Sequence, residues 1–516
     1  MRRGIIILAL LALAGSAAAQ SEPRESARRQ PFALGLEYMA PGLAAAYSST
    51  GIKWAKAMGQ GFSWGDIEPR PPVRGRHTYD WSYTDRLILE YQRAGFESFH
   101  VYVKCRCSWA SSKPLSLMGT PSYPPKPEFM DDYAEYVRQL VERYDKDGLS
   151  DAPGLLYPVR YWEIEAEWGT FWPGTVEEYL DLLKVAHRAV KSADENAQVV
   201  LVGFFIAGVF EANPVPEDPV RVARERLPAQ TARNIERGIE EVRALLRHPE
   251  LFDVVEFHSL SDWTEIIGMS RFLRRLMHEN GYEKPIWVGD VNYTASPMMF
   301  WGMPVPPYTE KQKAGIEETL RALANPKHPK HASTEAWFRA EQAKGLVKKV
   351  VLAMGEGLAG INIGNLEDWG AFALAPTLSG TAAFHGLIET TGFPRRPGEP
   401  RPAFHALTLV NRELDGFSAV ERLDLGTGIY CYRFTVGTRS VHVLWYDDGK
   451  RYLPGEAEPT KRVTLRLPPA EYRIVSTPTA RGVADPPVQT ASAHGGTLAL
   501  DVGSVPLFIE PAGAGP

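Results

Sequence analysis

Carboxylates set just after β-branched runs are the residues of this chain whose spacing can do chemistry. Glu37 follows Ala33–Leu36, Glu165 and Glu167 follow Arg160–Ile164, Asp290 follows Pro285–Val288, and Glu367 and Asp368 follow Gly360–Ile363. Two carboxyl groups facing each other are what hydrolysis of a glycosidic bond requires. One protonates the leaving oxygen, and the other attacks or activates water. Seven of the thirteen tryptophans fall in the same loops: Trp64, Trp109, Trp168, Trp172, Trp263, Trp301 and Trp369. A flat ring beside a carboxylate suits a sugar, whose C–H face stacks while its hydroxyls bond to acids. A single tryptophan there more often fills the layer beneath the helices; seven on one rim point to a sugar-facing surface.

Such residues need strands that end together. Candidate strands are Ala33–Leu36, Ala55–Gly59, Ser98–Val103, Arg160–Ile164, Gln198–Val202, Val254–Phe257, Pro285–Val288 and Gly360–Ile363. Amphipathic stretches lie between them at Asp85–Ala94, Glu128–Tyr144, Val176–Ser192, Ala229–Leu246, Ser270–Asn280, Glu310–Leu323 and Thr334–Gly355. Thr175 and Glu178 form a capping box before the third of these helices. Strand and helix alternating about eight times over residues 31–415 predict a (β/α)8 TIM barrel, whose strand ends collect functional groups. A doubly wound open sheet competes, but no GxGxxG opens any of the helices. Past Leu414, short alternating runs split by Gly, Pro and Asp turns predict a small antiparallel β-sandwich over residues 420–516.

Composition narrows the function classes. A chain of 516 residues with 44% hydrophobic residues suits a large core plus a second module. Its net charge of −5 gives phosphate backbones no general attraction, so nucleic acid is not an expected partner. Three cysteines, two of them in Cys105-Arg106-Cys107, form neither a disulfide framework nor a CxxC metal site, and free thiols are expected there. No constellation calls for a metal or an organic cofactor. Arg2 and Arg3, the apolar run Ile5 to Ala14 and the small residues Ala17-Ala18-Ala19 have the layout of a signal peptide over residues 1–19. Cleavage near Ala19 predicts a secreted or periplasmic chain with no membrane anchor. Its expected partner is a carbohydrate substrate.

Longer motifs sharpen this reading. Tyr161-Trp162-Glu163-Ile164-Glu165-Ala166-Glu167-Trp168, followed by Phe171-Trp172, Gly174-Thr175 and Glu177-Glu178-Tyr179, resembles the fourth-strand stretch of clan A glycoside hydrolases. Within that clan it is most similar to the β-xylosidase and α-iduronidase-like group. Trp64, Ile67-Glu68-Pro69, Tyr79-Asp80-Trp81 and Asp85 resemble an upstream signature of the clan. Lys284-Pro285-Ile286-Trp287-Val288-Gly289-Asp290 resembles the end of its seventh strand, and Phe257-His258 stands at its sixth-strand histidine motif. The terminal module is similar too, through Arg401–Phe404, Tyr430–Phe434 and Val443–Trp445.

The resemblance implies that Glu167 is the acid/base and Asp290 occupies the nucleophile position. Their places after the strands and on the aromatic rim give Glu37, Trp64, Trp109, Glu165, Trp168, His258 and Trp369 as candidate sugar contacts. Three positions depart from the pattern: Ala166 replaces an Asn, Asp290 replaces a Glu, and Leu260 replaces a Tyr. Asp is one methylene shorter, so its carboxylate sits roughly 1 Å farther from an anomeric carbon. Misplacement on that scale costs about 10²-fold in rate. Two readings follow: a glycosidase with an altered carboxylate pair, or a barrel that has lost hydrolysis and binds glycans. A third, purely structural barrel would fill the strand-four and strand-seven ends with salt bridges or packed side chains.

Overall fold

The computed structural model describes residues 32–57, 61–115, 121–206, 208–211, 218–292, 310–364, 367–368, 384–391 and 396–513. Eight strands build the first layer: β1 (Ala33–Glu37), β2 (Trp54–Ala57), β3 (Ser98–Val103), β4 (Tyr161–Ile164), β5 (Gln198–Val200), β6 (Val255–Ser259), β7 (Ile286–Val291) and β8 (Gly360–Ile363). They pair in parallel in the order β5-β4-β3-β2-β1-β8-β7-β6. Parallel bridges Val200↔Val254 and Phe204↔Phe257 join β5 to β6 and close the ring. This is the expected TIM barrel.

The helices that follow the strands are α1 (Ala44–Ser48), α2 (Trp64–Ile67), α3 (Ser82–Arg93), α4 (Met130–Glu142), α5 (Val176–Ala193), α6 (Pro219–Arg226), α7 (Ala229–Leu245), α8 (Glu265–Glu279), α9 (Glu310–Ala324) and α10 (His331–Gly355). Thr175 caps α5 as its sequence requires: its hydroxyl accepts from the Glu178 amide at 3.2 Å, and the Glu178 carboxylate accepts from the Thr175 amide at 2.8 Å. A further helix, α11 (Pro402–Leu414), covers the segment where the motif Arg401–Phe404 suggested the start of the terminal module. Pro402 at its first turn and an apolar stripe of Ala403, Ala406, Leu407, Val410 and Leu414 explain why it is helical.

Inside the barrel the period of two sorts side chains into layers. Ala33, Val200, Val254 and Trp287 form an apolar floor with Trp54 and Tyr161; the Trp54 and Tyr161 rings lie 5.3 and 5.0 Å from that of Trp287. One pleat higher the interior turns ionic. Lys56 of β2 reaches Glu256 of β6 at 2.7 Å, Glu163 of β4 at 2.9 Å and Glu37 of β1 at 3.9 Å. It also donates to the Gly289 carbonyl at 2.9 Å, and all four charged side chains are sealed from solvent. His100 of β3 closes this layer, 3.1 Å from Glu163. Gly289 is needed here, because a Cβ on it would stand 1.7 Å from Glu256 Oε1.

Strands β9 (Ile388–Thr391) and β10 (Arg396–Pro400) pair antiparallel by themselves. The terminal module has two layers. Strands β11 (Phe417–Leu423), β12 (Ile429–Val436), β13 (Arg439–Tyr446), β15 (Glu471–Ser476), β16 (Val488–Ser492) and β18 (Leu507–Pro511) form an antiparallel sheet, ordered β11-β12-β13-β18-β15-β16. Strands β14 (Lys461–Arg466) and β17 (Thr497–Val502) form the facing pair. Alternation gives the large sheet two apolar faces. Cys431, Leu444, Ile474 and Ile509 meet Val463, Leu465 and Leu498 of the pair, while Phe434, Val443, Trp445 and Phe508 join the barrel core. Trp263 and the Asp262–Arg451 ion pair, at 2.5 and 2.8 Å, fasten the β6–α8 loop to this sheet.

Replacing Lys56 by Met leaves buried carboxylates without their cation. We expect Lys56→Met to lower unfolding stability by about 3–5 kcal/mol in a denaturant titration. An unchanged midpoint would contradict the network.

Candidate active site

The C-terminal ends of four strands bring four polar side chains to the barrel mouth: Tyr38 after β1, Glu167 after β4, His258 on β6 and Asp290 on β7; Glu37, the last residue of β1, lies beneath them. His258 Nδ1 lies 2.9 Å from Glu167 Oε2, and its Nε2 lies 3.4 Å from Glu256 Oε1 in the ionic layer below. Burial alone would push the imidazole toward neutrality. Hydrogen bonds to Glu167 and Glu256, with the nearby charge of Asp290, outweigh it and hold His258 well above the ordinary histidine range. As imidazolium it carries a proton on both nitrogens, bonding Glu167 from Nδ1 and facing Glu256 with Nε2.

The ionic layer divides its protons unequally. Burial opposes the charge on Glu256, but Lys56, His100 and His258 outweigh it and hold this carboxyl well below the usual range. Glu163 is driven well above that range by burial and by Glu256, with Lys56 pulling the other way. Burial and Lys56 push His100 down to about 3. Glu256 therefore carries the charge, Glu163 the proton, and His100 is neutral.

Asp290 is buried, and its burial lifts its carboxyl above the ordinary value against the opposing pull of His258 and of a hydrogen bond from Tyr38. Glu167 is close enough to raise it as well. The Tyr38 hydroxyl donates to Asp290 Oδ2 at 2.8 Å, and among the described residues Oδ1 has no hydrogen-bond partner. Gly364, just past β8, leaves the room Oδ1 occupies; a Cβ there would come within 2.6 Å of it. Tyr38 holds φ at +63°, a left-handed conformation that costs a bulky residue about 1–3 kcal/mol. Nothing in the sequence pattern had marked Tyr38. Its place, one residue past a strand that ends in an acid, was the available signal.

Glu165 stands apart from this centre. Extended backbone would aim Glu163, Glu165 and Glu167 to one face, but Glu165 has φ of +65° and turns away. Its carboxylate accepts from the Cys105 amide at 2.6 Å, and burial lifts its pKa against the pull of Lys104. Past that turn, Gly203 rejoins the chain through bonds to Ala166 and Trp168, which returns Glu167 to the mouth. A Cβ on Gly203 would stand 2.1 Å from His258 Nε2. Glu37, sealed beneath the mouth, accepts from Tyr102 at 2.9 Å, and burial and Asp290 raise it well above the carboxylate range.

The tryptophans are mostly packed. Trp64 is fully buried against Tyr133, Tyr136 and Trp109 and donates to Glu68 at 2.9 Å, so it offers no open face to a ligand. Trp109 is partly buried and donates to the Glu68 carbonyl at 2.9 Å. Trp168 donates to Glu241 at 2.8 Å and packs on Tyr179, while Trp172 and Trp263 are buried. Trp301 and Trp369 lie outside the described residues. Asp368 is held by Arg401 and Arg339, and Cys105 and Cys107 are free, buried thiols.

No family model matches the chain, and no curated protein does. Among solved structures it is similar to a glucosidase from Croceicoccus marinus, at 11% identity over 94% of this chain and 97% of that one, with a TM-score of 0.52. It is also similar to an α-L-arabinofuranosidase from Thermotoga maritima, at 13% identity over 94% and 96%, with a TM-score of 0.52. A family 51 α-L-arabinofuranosidase, AbfB from Bifidobacterium longum, aligns at 12% identity over 94% and 96%, with a TM-score of 0.51. Likeness at this identity shows the fold. The expected resemblance to glycoside hydrolases therefore holds for the architecture, a barrel followed by a sandwich over nearly the full length of these glycosidases.

A hydrogen bond to an ionised carboxylate favours that form, so losing it raises the pKa. In Tyr38→Phe, the Asp290 carboxyl should therefore titrate at higher pH than in the parent protein. Carboxyl-13C aspartate labelling reads this, with Asp290→Asn assigning the resonance. A titration that stays put or moves down would contradict the contact.

Proposed function

We propose that the chain is an exported glycoside hydrolase-type enzyme acting on O-glycosidic bonds of oligo- or polysaccharides with Glu167 and Asp290 as its carboxyl pair. The observation that supports this is their placement: from β4 and β7 they reach one barrel mouth, within each other's field, with His258 bonded to the first. His258 holds Glu167 by a hydrogen bond from Nδ1, so Glu167 is the positioned carboxyl for proton transfer to a leaving oxygen. Asp290 supplies the second carboxylate through Oδ1, which has no hydrogen-bond partner among the described residues. Export rests on the layout of residues 1–19; among the described residues no helix is long and apolar enough to cross a membrane.

A second reading, glycan binding without turnover, is favoured by two observations. Ala166 brings no amide to a sugar hydroxyl, and Asp290 is buried, short and tied on one oxygen. A product assay on a broad oligosaccharide library decides between them. We expect the parent protein to release sugar and Glu167→Gln to lose about 10²-fold or more. A silent parent whose Asp290→Glu variant gains turnover would establish the binding reading.

A further inference from the structure

We propose that the Glu167–Asp290 pocket selects glycosides bearing no negative charge, neutral or amine-bearing sugars, and rejects uronides. The inference rests on the reading that this centre receives a sugar.

Recognition of a uronate needs a cation or several free donors aimed at the pocket. The cations that act on Asp290 are His258 and Lys56. Both are already engaged. Lys56 is wholly buried between Glu163, Glu256, Glu37 and the Gly289 carbonyl. His258 spends one nitrogen on Glu167 and faces Glu256 with the other. Lys349, behind β6 and β7, donates to the carbonyls of Ser259 at 2.7 Å and Asn292 at 2.6 Å. Past β3, Lys104 lies 5.1 Å over the Phe171 ring in the field of Glu165, which has turned away from the mouth.

The centre presents the opposite need. Asp290 Oδ1 is a carboxyl oxygen with no hydrogen-bond partner among the described residues. A hydroxyl or ammonium donor on a ligand satisfies such an atom, whereas a further carboxylate beside Asp290 would be repelled and left without counter-charge. Like-charge placement in a buried site costs several kcal/mol, so discrimination should exceed about tenfold.

The test is calorimetric binding to the full chain. Iminosugars of gluco, galacto, manno, xylo and arabino configuration would be used, with the hexose-configured ones matched to partners bearing a carboxylate at C6. We expect at least one uncarboxylated compound to bind and every carboxylated partner to bind more than about tenfold more weakly. In Asp290→Asn, binding of the uncarboxylated compound should weaken. A carboxylated compound that binds as well as its partner overturns the proposal, and so does failure of the whole panel to bind. Binding needs no turnover, so the two ideas separate. Charge selection without sugar release would sink only the hydrolase reading, and release of a uronic acid would sink only this one.

Discussion

One lysine sets the terms for the barrel interior. Lys56 brings a positive charge where no water reaches, and Glu37, Glu163 and Glu256 converge on it from three strands. Removing that many charges from water is costly, and only close pairing offsets it. The consequence reaches the mouth through one residue. Because Lys56 keeps Glu256 ionised, Glu256 can face the imidazolium of His258, and His258 in turn engages Glu167. The proton donor of the proposed chemistry is thus placed by a charge one layer beneath it.

The second carboxylate is held differently. Among the described residues no cation is bonded to Asp290; it has a phenol from just past β1 on one oxygen and a notch opened by Gly364 at the other. Where the clan pattern expects a tyrosine after β6, Leu260 is buried, and a hydroxyl reaches the acid from Tyr38 instead. That arrangement requires a left-handed backbone at a bulky residue, which surrounding structure must sustain. Glycines at 203, 289 and 364 make the same demand from the other side, each leaving space that a charged group fills.

Much of this was legible in the sequence. Strand and helix alternation, the capping box at Thr175 and the turn-rich end predicted barrel and sandwich, because periodicity records which face is buried. Glu167 and Asp290 were found by their places at strand ends. What escaped were Lys56, His100, Glu163 and Glu256, although each is an ionisable residue at alternate spacing within a predicted strand. Hydrophobic pattern assigns such positions to a face without saying that the face is ionic. Glu165 was unreadable because one left-handed residue reversed its direction. The tryptophans looked like a rim because loops were placed by sequence order; packing against Tyr133, Tyr136, Tyr179 and Trp445 turns most of them into core.

The central claim is that the buried charges keep His258 protonated beside Glu167. Imidazole 15N chemical shifts of the full chain, followed across pH, test it most directly. The account predicts that both His258 nitrogens stay protonated well above the ordinary histidine range, and that Glu256→Gln lowers the transition. A His258 that titrates near the ordinary value, or is neutral throughout, would contradict it.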